Sequence, residues 1–171
     1  YTMATPGTTP DTAGNPEVQQ PLQYAQVQSS SGTTYTDANG NFTISGTNGP
    51  LNVSIAYLGT FANCNNDSGS DYSLTTSVSG TGNSVVLNTG TQAAVTAESN
   101  VYQWVNKMRD WIRAITPGDN TADFLATANC NLSSTCNAYY DGASINFYSA
   151  GGGCVNTSFS SVVGHEEGHW L

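Results

Sequence analysis

The sequence is short of charge. Only 9% of its 171 residues are Asp, Glu, Lys or Arg, against about 25% in an average soluble domain. Cations are scarcest: Lys and Arg number three against twelve acids, for a net charge of −9. A chain this acidic repels phosphate backbones and anionic membrane surfaces, which excludes nucleic acid as a partner. Its cations, Lys107, Arg109 and Arg113, fall within seven residues and form one basic patch. Long apolar runs are missing too. None approaches the ~20 residues of a membrane span, so membrane insertion is excluded. No basic segment followed by an apolar stretch opens the chain, so any signal peptide is expected to have been removed before Tyr1. Histidine occurs only twice, at 165 and 169.

In place of charge the chain carries Ser, Thr, Asn, Gln and Gly, which supply solubility through neutral hydrogen bonding. Cys64, Cys130, Cys136 and Cys154 make an even count with no C-x-x-C pair. Together with the scarcity of Lys, this favours an oxidising, extracellular setting and two disulfides, with three pairings open. Four buried free thiols are the alternative. The sequons at Asn41, Asn52, Asn66, Asn131 and Asn156 fit a secreted protein, although so much Asn, Ser and Thr also generates them by chance.

Three segments follow one another. Residues 1–20 hold Pro6, Pro10 and Pro16 without apolar periodicity, and are expected to be an extended arm or linker. Residues 21–92 read as β. In "LNVSIAYL", Leu51, Val53, Ile55 and Tyr57 alternate with smaller or polar residues, as a half-buried strand requires. Asn39-Gly40 in "TTYTDANGNFTI" is a type I′ hairpin signal, because both residues tolerate positive φ. "DYSLTTSV" and "NSVVLNT" add short strands, so a small antiparallel β-sandwich is expected. From 93 to 171 the period changes. Val101, Trp104, Val105, Met108, Trp111, Ile112 and Ile115 form one stripe of a helix, which "TPG" at 116–118 stops. Strand-like residues broken by Asp141-Gly142 follow, and a second helix starts near Ser158. The class expected is α+β.

That second helix contains His165, Glu166 and His169, an H-E-x-x-H motif. Four residues along a helix return a side chain to the same face, one turn on, so both imidazoles can reach one zinc ion. Glu166, one step round, can move a proton between water and a leaving amine. The motif alone is weakly specific. Glu167 puts a charge where the motif usually has none.

The order of features adds a resemblance. "VTAESNVYQWVNKMRDWIRAI", "NAYYDGASINF", "GGGC" and "HEEGHW" resemble thermolysin- and fungalysin-type zinc metallopeptidases, with Asn137 lying 28 residues before His165. "GTTYTDANGNFTI" resembles the prealbumin-like, carboxypeptidase-regulatory-like modules found beside secreted hydrolases. The resemblance implies a β-sandwich followed by the first, strand-plus-zinc-helix lobe of a thermolysin-like catalytic domain. It implies His165 and His169 as Zn²⁺ ligands, Glu166 as general base, and Asn137 and Ala138 as holders of a peptide substrate by strand addition. Read without the resemblance, Asn137 is a turn residue. The family's third ligand, a glutamate on a later helix, would follow Leu171, as would its second lobe. The 171 residues are therefore expected to be inactive alone.

Two further expectations complete the reading. "NNDSGSD" sets Asp67 and Asp71 among turn oxygens, a weak candidate for Ca²⁺. The alternative function is a non-catalytic extracellular subunit, structural or binding, whose partners include other copies of itself.

Overall fold

The computed structural model describes residues 1–46 and 49–171. In chain order the elements are β1 (Thr2–Ala4), β2 (Val18–Gln20), β3 (Ala25–Ser29), β4 (Gly32–Tyr35), β5 (Leu51–Gly59), β6 (Ala62–Asn66), β7 (Ser73–Val78), α1 (Ala93–Ile115), β8 (Ala126–Leu132), β9 (Ala138–Tyr140), β10 (Ile145–Tyr148) and α2 (Ser160–Trp170). The class is α+β, as expected. β1 and β2 form a ribbon, and the other eight strands form one sheet.

β5 organises that sheet. Val53, Ile55 and Tyr57 alternate inward, each at most 3% exposed, so the period-2 pattern fixes which face is buried. One edge of β5 takes β3; the other takes β7 along residues 51–56 and β6 at Leu58. β6 then pairs in parallel with β8, β8 in parallel with β10, and β10 antiparallel with β9, which ends the row. Parallel neighbours need a crossover, and α1 lies in the connection between β6 and β8. The composition change near residue 92 falls just before α1, and the sheet runs across it. On the face away from α1, amides link three strands: Asn65 Nδ2 donates to Asn129 Oδ1 (2.8 Å) and Asn129 Nδ2 to Asn146 Oδ1 (2.8 Å).

α1 packs on the inner face through Val101 and Val105, 0% and 1% exposed. Burying a valine contributes about 1.5 kcal/mol. The stripe does not stay buried: Trp111 and Ile115, in the last turns of α1, are 59% and 62% exposed. Polar residues are buried instead, among them Glu98, Asn100, Gln103 and Asn106. The N-terminal segment explains several of them. It is extended but docked, since Thr2 Oγ1 shares hydrogen bonds with Tyr57 Oη and Ser99 Oγ (2.8 Å each), and Thr5 N–H donates to Asn100 Oδ1 (2.8 Å). Gly59 admits a close approach: a Cβ there would collide with Tyr102 Oη and Tyr24 O. Tyr102 uses that space to donate to Gln23 O (3.0 Å).

Two expectations need correction. Of the four cysteines, Cys136 and Cys154 are bonded, with Cα atoms 5.2 Å apart, whereas Cys64 and Cys130 are free and buried. Cys64 pairs with Ala128 and Cys130 with Asn66. That two-residue offset separates the two Cα atoms by roughly 8 Å, beyond the usual reach of a disulfide. At Asn39-Gly40 the chain turns, but Asp37 Oδ1 accepts the N–H groups of Asn39 and Asn41 (2.8 Å each) and closes the turn locally. Residues 41–46 then form no strand. No described helix is long and apolar enough to cross a membrane.

Candidate metal centre and substrate edge

α2 is fixed at three points. Ser160 Oγ donates to Gly7 O (2.7 Å) at its start. In the middle, Val163 is fully buried and Gly164 faces Met108, whose Sδ would lie 3.4 Å from a Cβ at that position. At its end Trp170 packs on Phe124 and Tyr140, with ring centroids 5.0 and 5.3 Å away.

These contacts turn residues 160, 163 and 167 inward. At 100° per residue, positions 165 and 169 then face outward. Both histidines are exposed, and their Nε2 atoms lie 3.0 Å apart, within hydrogen-bonding distance. Two imidazoles bound tetrahedrally at 2.0–2.1 Å would place these atoms about 3.3 Å apart. The pair therefore fits one zinc ion with little rearrangement. Glu166 lies at the margin of the buried face, 6% exposed. Glu167 points further in, 2% exposed, with Oε2 unpartnered, and burial pushes its carboxyl up to about 8. Sequence reasoning noticed the unusual charge at 167 but not that it is buried.

A third ligand is not brought to this point. Among the described residues, no group of three His, Cys, Asp or Glu side chains converges. Asp110 accepts from Tyr24 and Arg109, Asp141 accepts the N–H groups of Ala143 and Ser144, and Glu98 accepts Tyr72 N–H. In the 66–71 turn, Asp71 Oδ1 accepts Asn66 N–H (2.7 Å) and Asp67 N–H donates to Cys130 O (2.9 Å). The carboxylate of Asp71 is thus closing its own turn.

Asn137 and Ala138 stand where β9 begins. Among the described residues β9 pairs with β10 alone and its other edge is unpaired, while α2 packs against β9. Asn137 is exposed, and its carbonyl accepts from Tyr148 N–H (3.3 Å) and the Thr157 hydroxyl (3.1 Å). The Cys136–Cys154 bond anchors the residue just before it. Asp141 closes the β9–β10 turn beside Gly142, at φ +96°. A scan against protein-family models and a search of curated proteins each returned no match.

Proposed function

We propose that this chain carries the zinc-helix portion of a secreted metalloendopeptidase of the thermolysin and fungalysin type. The observation that supports it most is the convergence of His165 and His169 on an exposed helix face, Nε2 atoms 3.0 Å apart. They are the only histidines in the sequence. Neither packs against the core, so the fold itself does not call for them.

In this reading the two imidazoles hold Zn²⁺ through Nε2. Zinc, when bound, supplies Lewis-acid activation of water and of the scissile carbonyl. Glu166 accepts the proton of the attacking water on its carboxylate and delivers it to the departing amine nitrogen. The free edge of β9, with Asn137 and Ala138, takes the peptide as an added strand and aligns its backbone beneath α2. Among the described residues no third protein ligand converges on the pair, and two imidazoles alone hold zinc weakly. Zinc titration of the chain beside its His165→Ala variant tests the reading. One ion bound per chain, and lost in the variant, supports it; equal affinity of the two would sink it.

A second reading has its own observation. Trp111 and Ile115 near the end of α1, and Leu125 just before β8, are 59%, 62% and 49% exposed, and exposed large apolar side chains are where a partner packs. An extracellular binding or self-assembling subunit would cover these residues with a partner. Light scattering over a concentration series separates the readings, since the subunit reading requires mass above the 17.8 kDa monomer without added zinc.

A further inference from the structure

His165 and His169 are exposed, so the core does not fix where the histidine face of α2 points. Among the described residues their rings pack on each other, edge to face, with centroids 4.6 Å apart. The rotation and tilt of that last turn must therefore be set from its opposite side. Trp170, the residue after His169, is the large side chain there.

Its two partners come from different parts of the molecule. Phe124 precedes β8 and follows Asp123, which accepts from Arg109 Nε (2.7 Å) and from Arg113, both on α1. The long helix thus ties down the loop that carries Phe124. Tyr140 belongs to β9, three residues from Asn137 on the free sheet edge. Trp170 lies against both rings, at 5.0 and 5.3 Å. One side chain links the turn bearing a metal ligand, the strand proposed to align substrate, and the helix behind them.

We propose that Trp170 is a positioning residue for the metal ligand His169, held by Phe124 and Tyr140, and that it sets the zinc-binding turn and the β9 edge in one register. The inference rests on the reading of His165 and His169 as zinc ligands. Trp170 touches neither metal nor substrate; it acts through the backbone of the adjacent ligand. Outer supports of this kind typically change metal affinity 10- to 100-fold when removed.

The test measures zinc affinity by competition with a chromophoric chelator on the intact chain and three variants. Trp170→Ala is expected to weaken binding 10- to 100-fold, whereas Trp170→Phe, which keeps a ring against Phe124 and Tyr140, stays within about threefold of wild type. Phe124→Ala removes the clamp without touching α2 and is expected to follow Trp170→Ala. Wild-type affinity in either alanine variant overturns the inference, as does a Trp170→Phe chain no better than Trp170→Ala. A metal-free readout separates this inference from the reading beneath it. Long-range ¹H–¹⁵N spectra report whether the two Nε2 atoms share a hydrogen bond. That pairing is expected in wild type and Trp170→Phe and absent in both alanine variants. If wild type binds no zinc, the peptidase reading falls and the imidazole spectra alone decide the clamp: pairing that persists without Trp170 refutes it.

Discussion

The two helices each bury a glutamate and treat it differently. On α1, Glu98 is fully buried; its Oε2 accepts Tyr72 N–H at 3.0 Å while its Oε1 is left unpartnered, and burial raises its carboxyl to about 7. On α2, Glu167 is 2% exposed, has an unpartnered Oε2, and is pushed to about 8. The contrast extends outward. α1 is wrapped in its first half by hydrogen-bonded polar groups, and what it leaves exposed is apolar. α2 is held by a glycine contact and three aromatic rings, and what it exposes is a histidine pair. Packing accounts for most of α1. It does not account for the outer face of α2, and that is where a functional cause has to be sought.

If α1 is the structural member of the pair, its core side chains should dominate stability. Tyr102→Ala removes a fully buried ring and leaves Gln23 O without its donor. The expected cost is about 4 kcal/mol, read as a lowered urea midpoint with the slope unchanged. Val163→Ala on α2, also fully buried, should cost only about 2 kcal/mol. Equal costs would remove the distinction between the helices.

The two acids make the comparison pH-dependent. Each has a folded-state value raised above its ordinary one, 4.5 in both cases. An unfolded chain releases these protons near pH 4.5, while the folded chain keeps them until about 7 and 8. Between those limits the unfolded state binds fewer protons, so stability falls as pH rises. The loss is expected to be on the order of 3 kcal/mol between pH 5 and 8.5, after discounting the full shifts. Chemical denaturation at both pH values checks it. Stability that rises over that interval would contradict the burial of both carboxyls.

Much of α1 was legible in the sequence, and the reason is periodicity. Val101 and Val105 recur on the stripe and are buried. Glu98, Asn100 and Gln103 were not legible as buried residues, because the groups that cover or bond them come from residues 5, 21 and 72, far away in sequence. The β5 strand was readable from alternation alone. The parallel pairing of β6 with β8 was not: a register between residues 62–66 and 126–130 has no local signal. The cysteines failed for the same reason, since an even count says nothing of a two-residue offset. Of the candidate site, the histidine pair could be read from a spacing of four. The ring clamp could not, because Phe124, Tyr140 and Trp170 share no spacing.

Replacing Glu167 with leucine sharpens the comparison further. The substitution keeps a side chain of similar length in a buried place and removes an unpartnered oxygen. It should stabilise the chain by about 2 kcal/mol near pH 8.5. Below about pH 4 the gain should shrink, because the carboxyl is then protonated in both states. Thermal melts of the variant and wild type at pH 8.5 and at about pH 3.5 would show it. A loss of stability at high pH would mean that Glu167 has a partner in solution.

The smallest expected effect says most about α2. His165→Ala combined with His169→Ala removes two exposed rings that pack on each other. Without metal, the double variant should match wild-type stability within about 0.5 kcal/mol, as surface substitutions usually do. With zinc in excess of its dissociation constant, wild type should gain stability through preferential binding to the folded state, and the variant should gain none. A large metal-free loss would make the histidines part of the packing and return α2 to the same footing as α1. Equal responses to zinc would leave the exposed pair without the function assigned to it. A zinc-dependent difference with no metal-free difference is the result that separates the two helices: one is there to be packed, the other to present what packing does not use.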